Sequence, residues 1–282
     1  MACVAEAVPY WHVDAFADRL FAGNQAAVMV FDAWPDDATL AAIAAENLFA
    51  ETAFLVADEG GGSDEDGAAA WALRWFTPTQ EVRLCGHATL ASGHVLLTRD
   101  GGESVRFRTR ESGILEVRRA GAGYELALPA IAVARADLSG AAALLGGPAP
   151  QRMWRSPLGY SVFLYASARE VRGLHPSFRD LAGLGSDLFI ATAPADDDAP
   201  GTSGGADIVS RAFAPGVGVD EDSVTGSAHA VLAPLWADML GRSRFDAFQA
   251  SPRGGRLSCR LDSQRVWLGG GCVTVVAGSF YL

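Results

Sequence analysis

The chain has 282 residues, a length typical of one large or two medium domains. Half of its residues are hydrophobic and 20% are charged, a composition that supports a sizeable core and excludes wholesale disorder. The 33 acidic and 22 basic residues give a net charge of −11, which disfavours binding to nucleic acid and to anionic membrane surfaces.

The N-terminal segment and the cysteines indicate a compartment. The first six residues have neither the basic nor the apolar region of a signal peptide. No apolar run approaches the roughly 20 residues that span a bilayer. The four cysteines (Cys3, Cys85, Cys259 and Cys272) lie far apart and form no Cys-x-x-Cys pair, which favours a reducing environment. We therefore expect a cytoplasmic protein.

The first half of the chain alternates isolated helices with runs of strands. Residues 36–49 have helical spacing, with an apolar face that carries Leu40, Ile43, Ala44 and Leu48. Strands follow over 52–57 and 69–76, and the acidic, Gly-rich segment 60–67 between them predicts a hairpin loop. A helix from Gly86 to about Leu97 comes next, followed by strands over 104–109, 114–119 and 124–128.

The second half repeats this order. Its acidic loop spans 194–205, its helix begins near Gly226, and its strands lie over 256–261, 265–268 and 273–276. Four segments match at offsets of 136 to 142 residues: Arg74–Pro78 with Arg211–Pro215, Gly86–Ala88 with Gly226–Ala228, Gly113–Arg118 with Gly255–Arg260 and, more weakly, Glu51–Ala57 with Asp187–Ala193. The matches predict two copies of one domain; the alternative is a coincidence of common strand and turn residues.

This element order predicts an α+β fold in which each half wraps a sheet on a central helix. Two such lobes predict a cleft between them, where small ligands usually bind. Both Gly-x-Ala elements open helices, whose N-terminal N–H groups and partial positive charge suit a small carboxylate. The small residues that would let a ligand approach this backbone are Gly86, Ala88, Gly226, Ser227 and Ala228. The alternative is that both are ordinary helix starts with tight packing.

Three titratable residues lie beside these helix starts: Glu51, His87 and Asp222. A carboxylate and an imidazole on one wall of a cleft can move a proton between two atoms of a substrate. Each also has a structural interpretation, since Glu51 could be solvated, His87 could be only a hydrogen-bond donor and Asp222 could be a cap.

Cys85 suggests two further interpretations. Metal binding is disfavoured because Cys3, His12, His94 and His229 show no ligand spacing. A reactive thiol at a helix N-terminus is the second interpretation. The equivalent position in the second half is Thr225, whose hydroxyl is too weak a base to be the second base of a two-thiol racemase. The alternative to a reactive thiol is a buried, inert Cys85. No Walker motif, Gly-x-Gly-x-x-Gly fingerprint or nucleophile elbow is present, so we expect neither a cofactor nor a metal.

With these residues in view, the chain resembles the phenazine-biosynthesis PhzF-like family, within the diaminopimelate-epimerase-like fold. The resemblance spans nearly the whole chain and rests most on Glu51–Phe54, Cys85–Leu90 and Asp222–Ala228, with further matches at His12–Phe16, Gly23–Asn24, Ile43–Asn47 and Arg74–Pro78. Gln25 departs from the usual Gly-Asn-Pro, and Ala50 replaces the usual Ser before the glutamate.

The resemblance implies two pseudo-symmetric lobes, each a curved, mostly antiparallel sheet or barrel around a central helix, often assembled as a homodimer. It divides the chain at 1–128 and 129–276, and leaves open that 277–282 return to the first lobe. It implies a cofactor-independent isomerase that shifts a proton on a small carboxylate-bearing substrate. Glu51, His87 and Asp222 are then catalytic, and the substrate-binding residues are Asn24, Gly86, Ala88, Thr225, Gly226 and Ser227. The alternatives are a non-catalytic metabolite-binding protein and a racemase that uses Cys85 alone.

Overall fold

The computed structural model describes residues 6–58, 70–195 and 205–282. The predicted loop at 60–67, most of the loop at 194–205 and Cys3 lie outside the described residues. The chain divides into two compact units, Met1–Ala127 together with Gly269–Leu282, and Leu128–Leu268. The sequence-based division places the last boundary later, after residue 276. Across the described ranges, no helix has the length and apolar character needed to cross a membrane.

The first unit contains a mixed sheet and two helices. Its elements are β1 (Ala7–Ala15), β2 (Asn24–Phe31), α1 (Asp37–Asn47), β3 (Glu51–Ala57), β4 (Trp71–Phe76), β5 (Glu81–Val82), α2 (Gly86–Arg99), β6 (Ser104–Arg108), β7 (Ile114–Ala120), β8 (Gly123–Pro129) and, near the C-terminus, β18 (Cys272–Tyr281). The strands pair in the order β18-β1-β2-β3-β4-β6-β7-β8, with β5 also on β4. Only the β2–β3 and β4–β6 pairs among these are parallel.

Helix α2 is the central helix of this unit. Eleven of its residues are buried, from Gly86 to Leu97, and they lie on every side of the helix rather than on one stripe. It packs against β1, β2, β3, β6, β7 and β18. Gly93 permits the closest approach, since a Cβ there would overlap Cγ1 of Val117 on β7. The predicted wrapping of a sheet on this helix is confirmed for the first unit.

Helix α1 is shorter than predicted and its face is narrower. Asp36 is the N-cap and accepts a hydrogen bond from the Thr39 amide at 2.7 Å. The helix ends at Leu48, which adopts a left-handed conformation with φ of 54° and is 77% exposed. Leu40, Ile43 and Ala44 are buried as predicted, but Leu48 is not on that face, because the left-handed turn redirects its side chain to solvent.

The second unit has short helices in addition to its central one. Its elements are β9 (Ala134–Arg135), α3 (Ser139–Leu144), β10 (Arg152–Ser156), β11 (Tyr160–Leu164), α4 (Ala168–Arg172), α5 (Phe178–Ala182), β12 (Leu188–Pro194), β13 (Ile208–Ala214), a 3₁₀ turn (Pro215–Val217), β14 (Val219–Asp222), α6 (Gly226–Leu240), β15 (Arg244–Gln249), β16 (Gly255–Asp262) and β17 (Arg265–Gly270). Strand β11 is parallel to β12 and β13 is parallel to β15.

The strand pairings confirm the duplication. In the first unit β3 pairs with β2 in parallel and with β4 in antiparallel fashion, and β4 then pairs with β5 and, in parallel, with β6. The second unit repeats this pattern with β12, β11, β13, β14 and β15. Each unit also uses an equivalent ion pair, since Arg74 binds Glu81 and Arg211 binds Glu221 through two hydrogen bonds each.

The weakest of the four sequence matches is wrong by one residue. Phe54 is opposite Arg74, and Ala191 is opposite Arg211, so Phe54 corresponds to Ala191. Glu51 therefore corresponds to Leu188 and not to Asp187. The correction matters because a shift of one residue moves a side chain to the other face of a strand.

Candidate active site

The two central helices begin in the same way. The residues before them, Cys85 and Thr225, have similar extended backbones, with φ and ψ of −137° and 109° and of −110° and 102°. Neither side chain caps its own helix within the described ranges. Gly86, Ala88, Gly226 and Ala228 are buried, and Ser227 is half-buried. Both predicted helix starts are confirmed, and each presents first-turn N–H groups that lack partners within the helix.

Four predicted residues of the first unit lie together at the start of α2. Glu51 is the first residue of β3, and the strand register places it opposite Ala26 of β2, on the face that also carries Asn24. His87, the second residue of α2, has its Nε2 atom 3.3 Å from Oε2 of Glu51. Its Nδ1 atom lies 3.0 Å from Nδ2 of Asn24 and 3.5 Å from Sγ of Cys85.

The hydrogen bonds of His87 select one tautomer. Because the Asn24 amide nitrogen donates to Nδ1, that ring nitrogen carries no proton. The proton of the neutral ring is then on Nε2, which donates to the main-chain oxygen of Gln25 at 3.2 Å and faces the Glu51 carboxylate. The arrangement is thus an imidazole N–H held toward a carboxylate, the geometry of a positioned acid–base pair.

The carboxylate of this cluster is more exposed to solvent than the imidazole and the thiol. The side chain of His87 is 3% exposed, whereas that of Glu51 is 17% exposed. Cys85 is buried. A small molecule could therefore reach the carboxylate while the imidazole behind it stays shielded from water.

The same cluster offers three kinds of metal ligand, which spacing along the chain did not reveal. One atom each of Glu51, Cys85 and His87 lies within 4.8 Å of the other two. Oxygen, sulfur and imidazole nitrogen are donors that Zn²⁺ accepts. However, the short contact to Glu51 uses Nε2 and the short contact to Cys85 uses Nδ1. An ion would bind only one of the two ring nitrogens, and it would have to replace the Asn24 amide at Nδ1 or the Gln25 carbonyl at Nε2.

The predicted residues of the second unit form a separate hydrogen-bonded group at the start of α6. Oδ2 of Asp222 accepts from the Thr225 hydroxyl at 2.6 Å. Oε1 of the fully buried Gln249 accepts from the Thr225 amide at 2.8 Å, and its Nε2 donates to the Asp222 carbonyl at 2.7 Å. The Asp222 carboxylate is therefore fixed beside the first turn of α6.

Ser227 has a partner that the sequence did not indicate. Its side chain hydrogen-bonds to Tyr160, the first residue of β11. Burial raises the pKa of the Tyr160 phenol, and the bond to Ser227 partly opposes that rise. The phenol consequently stays protonated and able to donate.

Sequence reasoning missed three residues of these two groups: Gln25, Gln249 and Tyr160. Gln25 contributes its main-chain oxygen and had stood out only as a departure from Gly-Asn-Pro. Gln249 is fully buried, which is unusual for a glutamine. Its burial is seen only in the structure, so the sequence carried no clear signal for it.

The chemistry is not duplicated with the fold. From the helix starts, Cys85 corresponds to Thr225 and His87 to Ser227, while the strand register assigns Leu188 to the position of Glu51. Within the described residues, the imidazole–carboxylate pair at a central helix start therefore belongs to the first unit.

Comparison with known proteins gives the family. The family model described as "Phenazine biosynthesis-like protein" matches residues 13–278. An uncharacterized isomerase of Pseudomonas aeruginosa is 41% identical over 274 residues, which cover 96% of this chain and 98% of that protein. A crystal structure of a PhzF-family protein from Enterococcus faecalis has a TM-score of 0.85 at 36% identity, covering 98% of this chain and all of the other.

A more distant structure shows how widely the fold is shared. A predicted epimerase from Pseudomonas aeruginosa superimposes with a TM-score of 0.69 at 23% identity, and covers 97% of this chain and 99% of its own. The fold is thus shared with epimerases, and the relatives named isomerases support an isomerase-type role. By its family model, its relatives and its fold, the chain belongs to the phenazine biosynthesis-like (PhzF) protein family.

Proposed function

We propose that this protein is an isomerase that moves a proton on a small carboxylate-bearing substrate, using its own side chains as acid and base. The observation that carries the proposal is the contact of Glu51 with a His87 held in a single tautomer by Asn24 and the Gln25 carbonyl. A carboxylate that is partly exposed and backed by a buried imidazole N–H is the simplest device for general acid–base catalysis.

The proposed step begins with Glu51 as the base. One carboxylate oxygen takes a proton from a substrate carbon, and the electron pair of that C–H bond is delocalised toward the neighbouring unsaturated group. Glu51, now a carboxylic acid, returns the proton to a second carbon, so the substrate is isomerised and Glu51 regains its charge. Nε2–H of His87 orients the carboxyl group and stabilises its anionic form in both half-steps.

The remaining predicted residues have supporting roles in this proposal. The first-turn amides next to Gly86 and Ala88 are proposed to bind an anionic group, since small side chains let a ligand approach the backbone closely. Thr225, Gly226 and Ser227 are proposed to do the same at α6. Asp222, held by the Thr225 hydroxyl, assists proton transfer.

The proposal is tested by hydrogen exchange. Small unsaturated and amino carboxylates that raise the melting temperature are incubated with the protein in D₂O, and deuterium on ligand carbon is followed by NMR and mass spectrometry. Glu51→Gln should slow labelling by about 10²–10⁴-fold while the melting temperature of the free protein stays the same. The matched control is Glu46→Gln, which changes an exposed glutamate of α1. Labelling at the wild-type rate in Glu51→Gln contradicts the mechanism.

A second candidate is a racemase in which the Cys85 thiol is the base, favoured by its 3.5 Å contact with Nδ1 of His87. Cys85→Ala separates the candidates, since it abolishes labelling only if the thiol takes the proton. A ligand that raises the melting temperature of the wild type yet acquires no deuterium indicates a metabolite-binding protein instead. The homodimer implied by the family resemblance is checked by sedimentation of the same preparations.

A further inference from the structure

Gln25 connects the acid–base cluster to a second group of side chains on the other face of the sheet. Side chains alternate along β2, so Gln25 projects from the face opposite Asn24. Its amide nitrogen lies 3.3 Å from Nε2 of His12 on the neighbouring strand β1 and donates to it. Its main-chain oxygen accepts from Nε2 of His87. One residue therefore touches both histidines.

His12 also contacts the segment that leads into Glu51. The ring centroids of His12 and Phe49 are 4.3 Å apart with planes inclined at 34°. Phe49 lies between the left-handed Leu48, where α1 ends, and Glu51, where β3 begins. The Leu48 side chain is exposed, whereas Phe49 is half-buried and its ring rests against the ring of His12. This ring contact is an apolar contact through which the turn can be held in place.

His12 is itself held in place. Its side chain is 13% exposed, and its Nε2 atom accepts from the Gln25 amide. Oδ1 of the fully buried Asp14 lies 3.9 Å from the same Nε2 atom, beyond hydrogen-bond distance, so Asp14 is a neighbour of the neutral ring and not its hydrogen-bond partner. The other carboxylate oxygen of Asp14 accepts from the Phe21 amide at 2.8 Å, which fixes the acid within the turn between β1 and β2. Because the His12 ring is packed between Gln25 and Phe49, a change in its position is transmitted to both residues.

We propose that His12 is a positioning residue for the acid–base pair: through Phe49 it places Glu51, and through Gln25 it places His87. Glu51 is carried by β3 and His87 by α2. His12 touches Phe49, two residues before Glu51, and Gln25, whose main-chain oxygen accepts from His87. Catalytic rates depend steeply on the distance between such groups, and a displacement of about 1 Å can cost about 100-fold. The effect on catalysis rests on the proposed function, whereas the effect on His87 does not.

The positioning is tested first by NMR of ¹⁵N-labelled histidine, without any ligand. The ring signals of His87 are identified by their loss in His87→Gln, and they report its tautomer and hydrogen bonding. His12→Ala should move these signals. His12→Phe keeps a ring on Phe49 and Gln25→Leu keeps the main-chain oxygen, so each should move them less. His175→Ala, which changes an exposed histidine of the second unit, is the control and should leave them in place.

The second arm uses the D₂O-labelling assay. His12→Ala should lower kcat for labelling by about 10- to 100-fold with little change in KM, and His12→Phe should restore part of it. Signals of His87 that coincide with wild type in His12→Ala and Gln25→Leu overturn the proposal. If His12→Ala does not fold, the pair of His12→Phe and Gln25→Leu decides in the same way. Shifted His87 signals in a protein that labels no ligand uphold the positioning and refute the proposed isomerase.

Discussion

A buried histidine in the central helix of the second unit makes the stability of that unit dependent on pH. His229 lies on α6 and is fully buried. Its Nδ1–H donates to the Thr225 carbonyl at 2.8 Å, and the Ser210 hydroxyl, 3.3 Å away, donates to Nε2. Both ring nitrogens are thus satisfied by the neutral form. Burial lowers the pKa of His229 to about 4, and the bond to Thr225 only partly opposes this.

The size of the effect follows from the two pKa values. In the unfolded chain His229 titrates near its ordinary value of about 6.5. As the pH falls from about 6.5 to about 4, the unfolded state binds a proton that the folded state does not, so acid favours unfolding. At about pH 5 this lowers the free energy of unfolding by about 2 kcal/mol relative to about pH 8, and below about pH 4 by about 3 kcal/mol.

The measurement compares urea unfolding of the wild type and of His229→Gln across this pH range. The glutamine can donate to Thr225 and accept from Ser210 but has no proton to gain, so the stability difference between the two proteins isolates the histidine. We expect the wild type to lose about 2 kcal/mol relative to the variant between about pH 8 and about pH 5. His175→Gln, at an exposed site, should show no such change. A stability difference that is constant with pH, or an NMR titration of His229 near 6.5, refutes the reasoning.

Three further predictions concern packing and backbone. Arg211 and Glu221 form a two-bond ion pair in which each side chain is 12% exposed. Arg211→Met alone should cost about 3–5 kcal/mol by urea unfolding, because it leaves the Glu221 carboxylate without its cation and also removes the donor to the main-chain carbonyls of Val171, Arg172 and Leu174. Adding Glu221→Leu should recover only the part of the loss that comes from the carboxylate. Gly93→Ala should lower the free energy of unfolding by about 1–3 kcal/mol, because the added Cβ overlaps the Val117 side chain. Adding Val117→Ala should relieve this overlap. An unchanged melting temperature in Gly93→Ala contradicts the prediction. Leu48→Gly should raise stability by up to about 1 kcal/mol, since an exposed left-handed leucine carries backbone strain and little packing, and a lower melting temperature counts against it.

Much of the fold could be predicted from local sequence signals. The helix starts at Gly86 and Gly226, the hairpin of β3 with β4 and the three strands β6, β7 and β8 were expected from periodicity and turn residues. The register of β12 was not predicted correctly, because five of its seven residues, Phe189 to Ala193, are buried without alternation. A strand buried on both faces lacks the period of two that fixes register, and the match to β3 slipped by one residue for that reason.

The end of α1 was predicted incorrectly for a different reason, which lies in the exposed turn at Leu48. Its apolar side chain continues the helical spacing of Leu40 and Ile43, so the pattern extended the helix two positions beyond Asn47. The backbone ends α1 there because the chain must turn into β3, a tertiary requirement that has no local sequence signal when the left-handed residue is not glycine.

The candidate site shows most clearly what the internal repeat cannot predict. The internal repeat could point to the helix starts because it preserves what the backbone demands, namely small residues at Gly86 and Gly226 and arginines that pair at Arg74 and Arg211. It could not give the contact of Asn24 with His87, which joins residues 63 positions apart through the placement of β2 beside α2. The chemistry differs between the copies where the backbone does not constrain it, with histidine against serine at the second helical position. A duplicated sequence therefore predicts the scaffold of both units, and the proton-transferring group must be sought where the two copies differ.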